Sequence, residues 1–167
     1  MRRFFRRGFY LLELVVLVGI ISFLALVSVP RLGFIKSAMV RAEMDKLYST
    51  FLYAQQLSIV ENKQKTLTFD TQKNVYHFEG KTYPLPHKIT FGVLPRVLGS
   101  PSNPNKVLKR GVSYAHKSVE FYPSGIVKPG MACLVDLSEN YMCCISSSVA
   151  QVSYIRRYEY KGSWRQI

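Results

Sequence analysis

Three groups of residues have the types and spacing to do chemistry: a lone acid, Glu13, in an apolar run; three cysteines, Cys133, Cys143 and Cys144, within twelve residues; and a C-terminal stretch in which Arg156, Arg157, Lys161 and Arg165 are interleaved with Tyr158, Tyr160 and Trp164. A carboxylate in hydrocarbon costs on the order of 2.5 to 3.5 kcal/mol, so Glu13 needs a partner. Three cysteines allow at most one intrachain disulfide. If Ser138 and Glu139 form a turn, Cys133 faces Cys144; a one-residue shift brings Cys143 opposite instead. A zinc site would need a fourth ligand, and His77, His87 and His116 show no ligand spacing, so no metal is expected. The C-terminal cations can neutralise phosphates while the aromatics stack on bases, which makes nucleic acid a possible partner. The plainer reading of that stretch, and the favoured one, is a basic, half-buried edge strand. No nucleophile, base and orienting acid can be assembled, and no phosphate-binding loop is present; the chain reads as a non-enzyme without a cofactor.

The elements that must carry these residues begin with the N-terminal run. From Gly8 to Pro30 the only charge is Glu13, and the 17 residues from Leu14 to Pro30 carry none. Such a stretch is just long enough to span a bilayer, at ~1.5 Å per helical residue against ~30 Å of hydrocarbon. Arg2, Arg3, Arg6 and Arg7 precede it and only Arg31 and Lys36 follow closely. The bias predicts a single-pass inner-membrane protein with a cytoplasmic N-terminus and a periplasmic C-terminal domain. An ordinary signal peptide fits less well, because no small-x-small site follows Ala25 and Glu13 interrupts the run.

Helix-compatible sequence then continues, with no proline between Pro30 and Pro84 and no glycine between Gly33 and Gly80. Leu47, Phe51, Ala54 and Ile59 form an apolar face of 3.6 period, predicting one helix from Phe9 to about Asn62, about 80 Å long. After Asn62 the period becomes two. Leu67 and Phe69 alternate with polar residues, Thr71 to Asn74 turn the chain and Val75 to Glu79 return as a hairpin. Further strands are expected at 89–93, 118–122, 131–136, 141–146 and 151–156. The fold class expected is α+β: a long N-terminal helix, transmembrane then amphipathic, packed on a mostly antiparallel sheet.

Size and charge agree with one domain plus an appendage. The 167 residues are 48% hydrophobic, which excludes a disordered polymer. Lysine and arginine outnumber acids 23 to 10; leaving out the four arginines of residues 1–8, nineteen cations still face ten acids, a formal +9. An anionic neighbour suits that balance.

Arg7-Gly8-Phe9-Tyr10-Leu11-Leu12-Glu13 resembles the processing motif of type IV prepilins and type II secretion pseudopilins. The resemblance implies cleavage between Gly8 and Phe9 by a prepilin peptidase, which also methylates the new amine of Phe9. Glu13 then becomes the fifth residue of the mature chain, and the new ammonium at Phe9 supplies its partner in assembly. Pro30 matches a proline typical of pilins, whereas Tyr10 departs from the small polar residue usual there. Arg41 to Asp70 and Val119 to Gly125 are similar to H-class minor pseudopilins (GspH/FimT-like). The divisions implied are a leader, 1–8; a transmembrane and assembly helix, 9–30; and a periplasmic pilin-like domain, 31–167. The function implied is that of a minor pseudopilin in a type II secretion filament, with other pseudopilins or pilins, the peptidase/methyltransferase and the inner membrane as partners. The alternative is a FimT-like minor pilin in pilus assembly or DNA uptake, binding DNA through Arg156, Arg157, Lys161, Trp164 and Arg165.

Overall fold

The computed structural model describes residues 5–28, 32–95, 97, 99, 107–138, 141–148 and 153–167. The chain divides into two compact units, Met1–Ile35 and Lys36–Ile167. Helix α1 spans Phe5–Ser28 and helix α2 spans Leu32–Val60. Nine strands follow: β1 Lys65–Asp70, β2 Val75–Phe78, β3 Lys81–Pro84, β4 Ile89–Phe91, β5 Ser118–Phe121, β6 Gly130–Asp136, β7 Met142–Ser148, β8 Tyr154–Tyr160 and β9 Trp164–Gln166. They form two antiparallel sheets, ordered β3-β2-β1-β5 and β4-β6-β7-β8-β9.

This corrects the fold expected from sequence. One long N-terminal helix packed on a sheet is replaced by two helices and nine strands in two antiparallel sheets. The membrane assignment falls as well: among the described residues no helix is long and apolar enough to cross a membrane. Within α1 the uncharged stretch from Leu14 ends with the helix at Ser28, and fifteen residues rise only about 22 Å against ~30 Å of hydrocarbon. The single-pass inner-membrane placement, with its cytoplasmic N-terminus and periplasmic domain, rested on that span.

Helix α2 buries Val40, Met44, Leu47, Phe51, Ala54 and Ser58 completely, a row spaced alternately four and three residues apart. Ile59, expected on this face, is 49% exposed and Ser58 takes the inner place. The Ser58 hydroxyl lies 2.7 Å from the Gln55 carbonyl oxygen and 3.1 Å from that of Tyr122, so its burial costs little. The helix stops in a Schellman-type cap: Lys63 N–H donates to the Ser58 carbonyl, Asn62 N–H to that of Ile59, and Asn62 sits in the left-handed region at φ 49°.

The main core joins this row to both sheets. Leu67, Phe69, Val119 and Phe121 come from the first sheet, and Ala132, Leu134, Cys143 and Ile145 from the second. The opposite face of β6 and β7 is covered too, where Met131, Cys133, Val135, Met142 and Cys144 pack with Val97. Strands buried on both faces read as continuous apolar runs, which accounts for Met131–Val135 and Met142–Ile145 lacking alternation.

Two strands were not expected from sequence. Strand β3 follows a two-residue loop, Glu79-Gly80, with both residues at positive φ, the twist-matching hairpin turn. Strand β9 follows Lys161-Gly162-Ser163, with Gly162 at φ 80°. Strand β8 begins at Tyr154; residues 151 and 152 of the expected strand lie outside the described residues.

Candidate functional site

Gly8 and Phe9 lie in the first turns of α1, and Glu13 one turn further on. Glu13 is exposed, and no hydrogen bond or ion pair to it exists among the described residues. Its surroundings are apolar: every large hydrophobic residue from Tyr10 to Leu24 is between 53% and 71% exposed. In α1 such residues are exposed all round the helix, a contiguous apolar surface of the kind that marks an interaction site. Pro30, the last residue of the expected assembly helix, lies outside the described residues.

Cys133 and Cys144 are directly opposite in the β6–β7 ladder and form a disulfide with a sequence separation of 11. Leu137 and Ser138 follow β6 on the way to β7, and Glu139 lies outside the described residues. Cys143 faces the other side of the sheet, where burial pushes its thiol up, only partly offset by the Tyr141 hydroxyl. A buried thiol kept protonated is a poor nucleophile and a poor ligand.

The C-terminal cations and aromatics, adjacent in sequence, are sorted by the strand period. In β8, Arg157 and Glu159 are opposite Ile145 and Cys143 on the main-core side, whereas Arg156, Tyr158 and Tyr160 are opposite Ser146, Cys144 and Met142 on the disulfide side. Strand β9 repeats the division, with Arg165 opposite Glu159 and Trp164 opposite Tyr160. Trp164 stacks edge-on against Tyr160 with centroids 5.1 Å apart and donates its indole N–H to the Gly99 carbonyl at 3.1 Å. Arg156 instead covers the Tyr154 ring at 4.1 Å.

On the main-core side Arg157, Lys161, Arg165 and Arg41 meet Asp45 and Glu159 around a polar cavity of about 560 Å³. Arg157 is hydrogen-bonded to Asp45 and lies 4.4 Å above the Tyr48 ring. Glu159 is buried, accepts a hydrogen bond from Tyr141 at 2.9 Å and sits 3.5 Å from Arg41. Burial first, then Cys143 and Glu159, push the Tyr141 hydroxyl far up, so it stays a donor to that carboxylate. Lys161 adds its ammonium 5.2 Å over the Tyr141 ring.

Arg41, Asp45 and Tyr141 were not selected from sequence. The one available signal was the period-two sorting of β8 together with the i, i+4 spacing of Arg41 and Asp45 on α2. Two of the four cations are thus engaged with acids from the same cavity, and the site is an internally paired charge network with Lys161 and Arg165 at its mouth. Among the described residues no group of three histidines, cysteines or acids is placed to hold a metal ion. In comparisons with known proteins the chain matches no family model, no curated protein and no solved structure.

Proposed function

We propose that this chain is a minor pseudopilin of a type II secretion filament, made as a precursor, cut between Gly8 and Phe9, methylated at Phe9 and assembled through α1. The observation that carries the reading is the outward-facing apolar surface of α1 from Tyr10 to Leu24, interrupted by the single charge of Glu13. Packing of α1 against the corresponding helices of neighbouring subunits would remove that surface from water, a gain of about 25 cal/mol per Å². It would also desolvate Glu13, whose carboxylate then needs a cation. Cleavage at Gly8 creates one, the ammonium of Phe9, one helical turn away, on the same chain or a neighbour. Glycine at position 8 leaves the scissile bond without a side chain to obstruct the peptidase. The prepilin peptidase and other pseudopilins are the partners this scheme requires. DNA uptake by a FimT-like pilin gains nothing from the C-terminal hairpin, because its cations and aromatics lie on opposite faces of β8 and β9 apart from Arg156.

The test co-expresses precursor variants with the peptidase and the other filament subunits. Glu13→Leu should be processed to a chain beginning at Phe9 yet be absent from sheared or cross-linked filaments, whereas Gly8→Arg should remain unprocessed. Normal incorporation of Glu13→Leu, or a mature band from Gly8→Arg, removes the proposal.

A further inference from the structure

A groove of about 860 Å³ follows the segment from Val107 to Lys117 in the larger unit. Its rim carries the exposed Lys109, Arg110, His116 and Lys117, and no carboxylate lines it among the described residues. Val107, 50% exposed, and the half-buried Leu108 supply apolar surface to the same groove. This is the reverse of the C-terminal cavity, where Asp45 and Glu159 answer two of the cations. The backbone N–H groups of Lys73 and Gln72, then the charge of Lys73, hold the Asp70 carboxyl below its usual range, and Lys117 is close enough to help.

The rim is built rather than merely exposed. His116 and Lys117 stand consecutively in the left-handed region at φ 52° and 53°, a costly conformation for residues with side chains. Lys117 N–H donates to the Tyr114 carbonyl at 3.1 Å and its ammonium to the Thr71 hydroxyl at 2.8 Å. Ser113 N–H donates to the Met131 carbonyl at 2.8 Å, and Val112 bridges to Ala132, so the segment is tied to β6. The Tyr114 ring packs on Phe51 and Phe69 and its hydroxyl is 2.9 Å from that of Ser147, which leaves no free aromatic face on which a base could stack.

We propose that this groove binds an acidic polypeptide segment carrying apolar side chains between its carboxylates. The carboxylates pair with Lys109, Arg110 and Lys117, and the apolar side chains cover Val107 and Leu108. A nucleic acid would use the cations but would leave the apolar surface in water and find no stacking platform. Charge pairs at the rim of such a contact speed encounter and select acidic partners, while the apolar contacts hold them. The inference is independent of filament assembly, since it uses no residue of α1.

The test measures fluorescence anisotropy of a labelled Glu-Glu-Leu repeat peptide with the full chain, α1 being covered by a nonionic detergent. Lys109→Glu/Arg110→Glu should weaken binding about tenfold or more, while Lys161→Glu/Arg165→Glu, of the same charge change, should stay within about twofold. A Glu-Glu-Ser repeat peptide should bind unmodified protein more weakly than Glu-Glu-Leu. Equal losses in the two variants would reduce the effect to net charge and overturn the proposal. Absence of binding, or equal affinity for the two peptides, overturns it on the unmodified chain even if a variant fails to fold. A duplex oligonucleotide that displaces the peptide at ~0.15 M salt and binds more tightly would assign the groove to nucleic acid instead.

Discussion

Removing the Cys133–Cys144 bridge tests the strand register on which the second sheet depends. The bridge closes a loop with a separation of 11 residues. Loop-closure entropy for that length, applied to the unfolded chain, gives about 2 to 3 kcal/mol at 25 °C. Both sulfurs are buried between Met131, Val135 and Met142, so Cys144→Ala also loses packing, whereas reduction of the unchanged protein isolates the covalent contribution. With a urea dependence of about 2 kcal/mol per M, reduction should lower the unfolding midpoint by about 1 to 1.5 M. The assay is equilibrium urea unfolding with and without reductant for the unchanged chain, Cys143→Ala and Cys144→Ala. Cys143 lies on the opposite face of β7, so Cys143→Ala should keep the reductant-dependent shift and Cys144→Ala should abolish it. The reverse pattern would show a register displaced by one residue and would transfer every side chain of β7 to the wrong face. A reductant-insensitive midpoint in the unchanged chain would refute the bridge itself.

Acid should weaken the fold through carboxylates held low in the native state. Lys128 and the Tyr122 hydroxyl each donate to Glu120 at 2.7 Å, and the Gln72 and Lys73 N–H groups each donate to Asp70 at 3.0 Å, which lowers both carboxyls. Because these values are depressed on folding, their contribution is fully present above the ordinary carboxylate range and is lost as pH falls through the folded values. The urea midpoint should therefore drop on acidification, and Glu120→Gln should flatten the drop; an identical pH profile for that variant would contradict the assignment. Gly130→Ala should destabilise by about 1 to 3 kcal/mol, because the added Cβ would lie 2.2 Å from Cδ1 of Tyr114, whose ring is fixed by Phe51, Phe69 and Ser147. Urea unfolding checks it, and a midpoint unchanged from the parent chain would mean that the ring can move.

Much of the local structure was legible because local rules govern it. The absence of proline and interior glycine placed helix through residues 32–60, with an expected end at about Asn62 against the observed Val60, and the alternation at Leu67 and Phe69 with the polar Thr71–Asn74 turn placed the first hairpin. The short loops before β3 and β9 were harder to read, since each rests on two or three residues adopting positive φ or a glycine turn.

By itself the sequence determined where apolar periodicity begins and ends, that only one intrachain disulfide can form, and that the chain is strongly basic. Tertiary structure decided what those features do. Whether Cys143 or Cys144 meets Cys133, whether Ser58 or Ile59 turns inward, and whether Arg157 joins Asp45 or remains beside its sequence neighbour Tyr158 all depend on which face a residue occupies. Sequence neighbours on a strand point to opposite faces, and the pairing register chooses the face through contacts between residues far apart in the chain. The same reason explains why cations interleaved with aromatics looked like one surface in the sequence and became two in the folded protein.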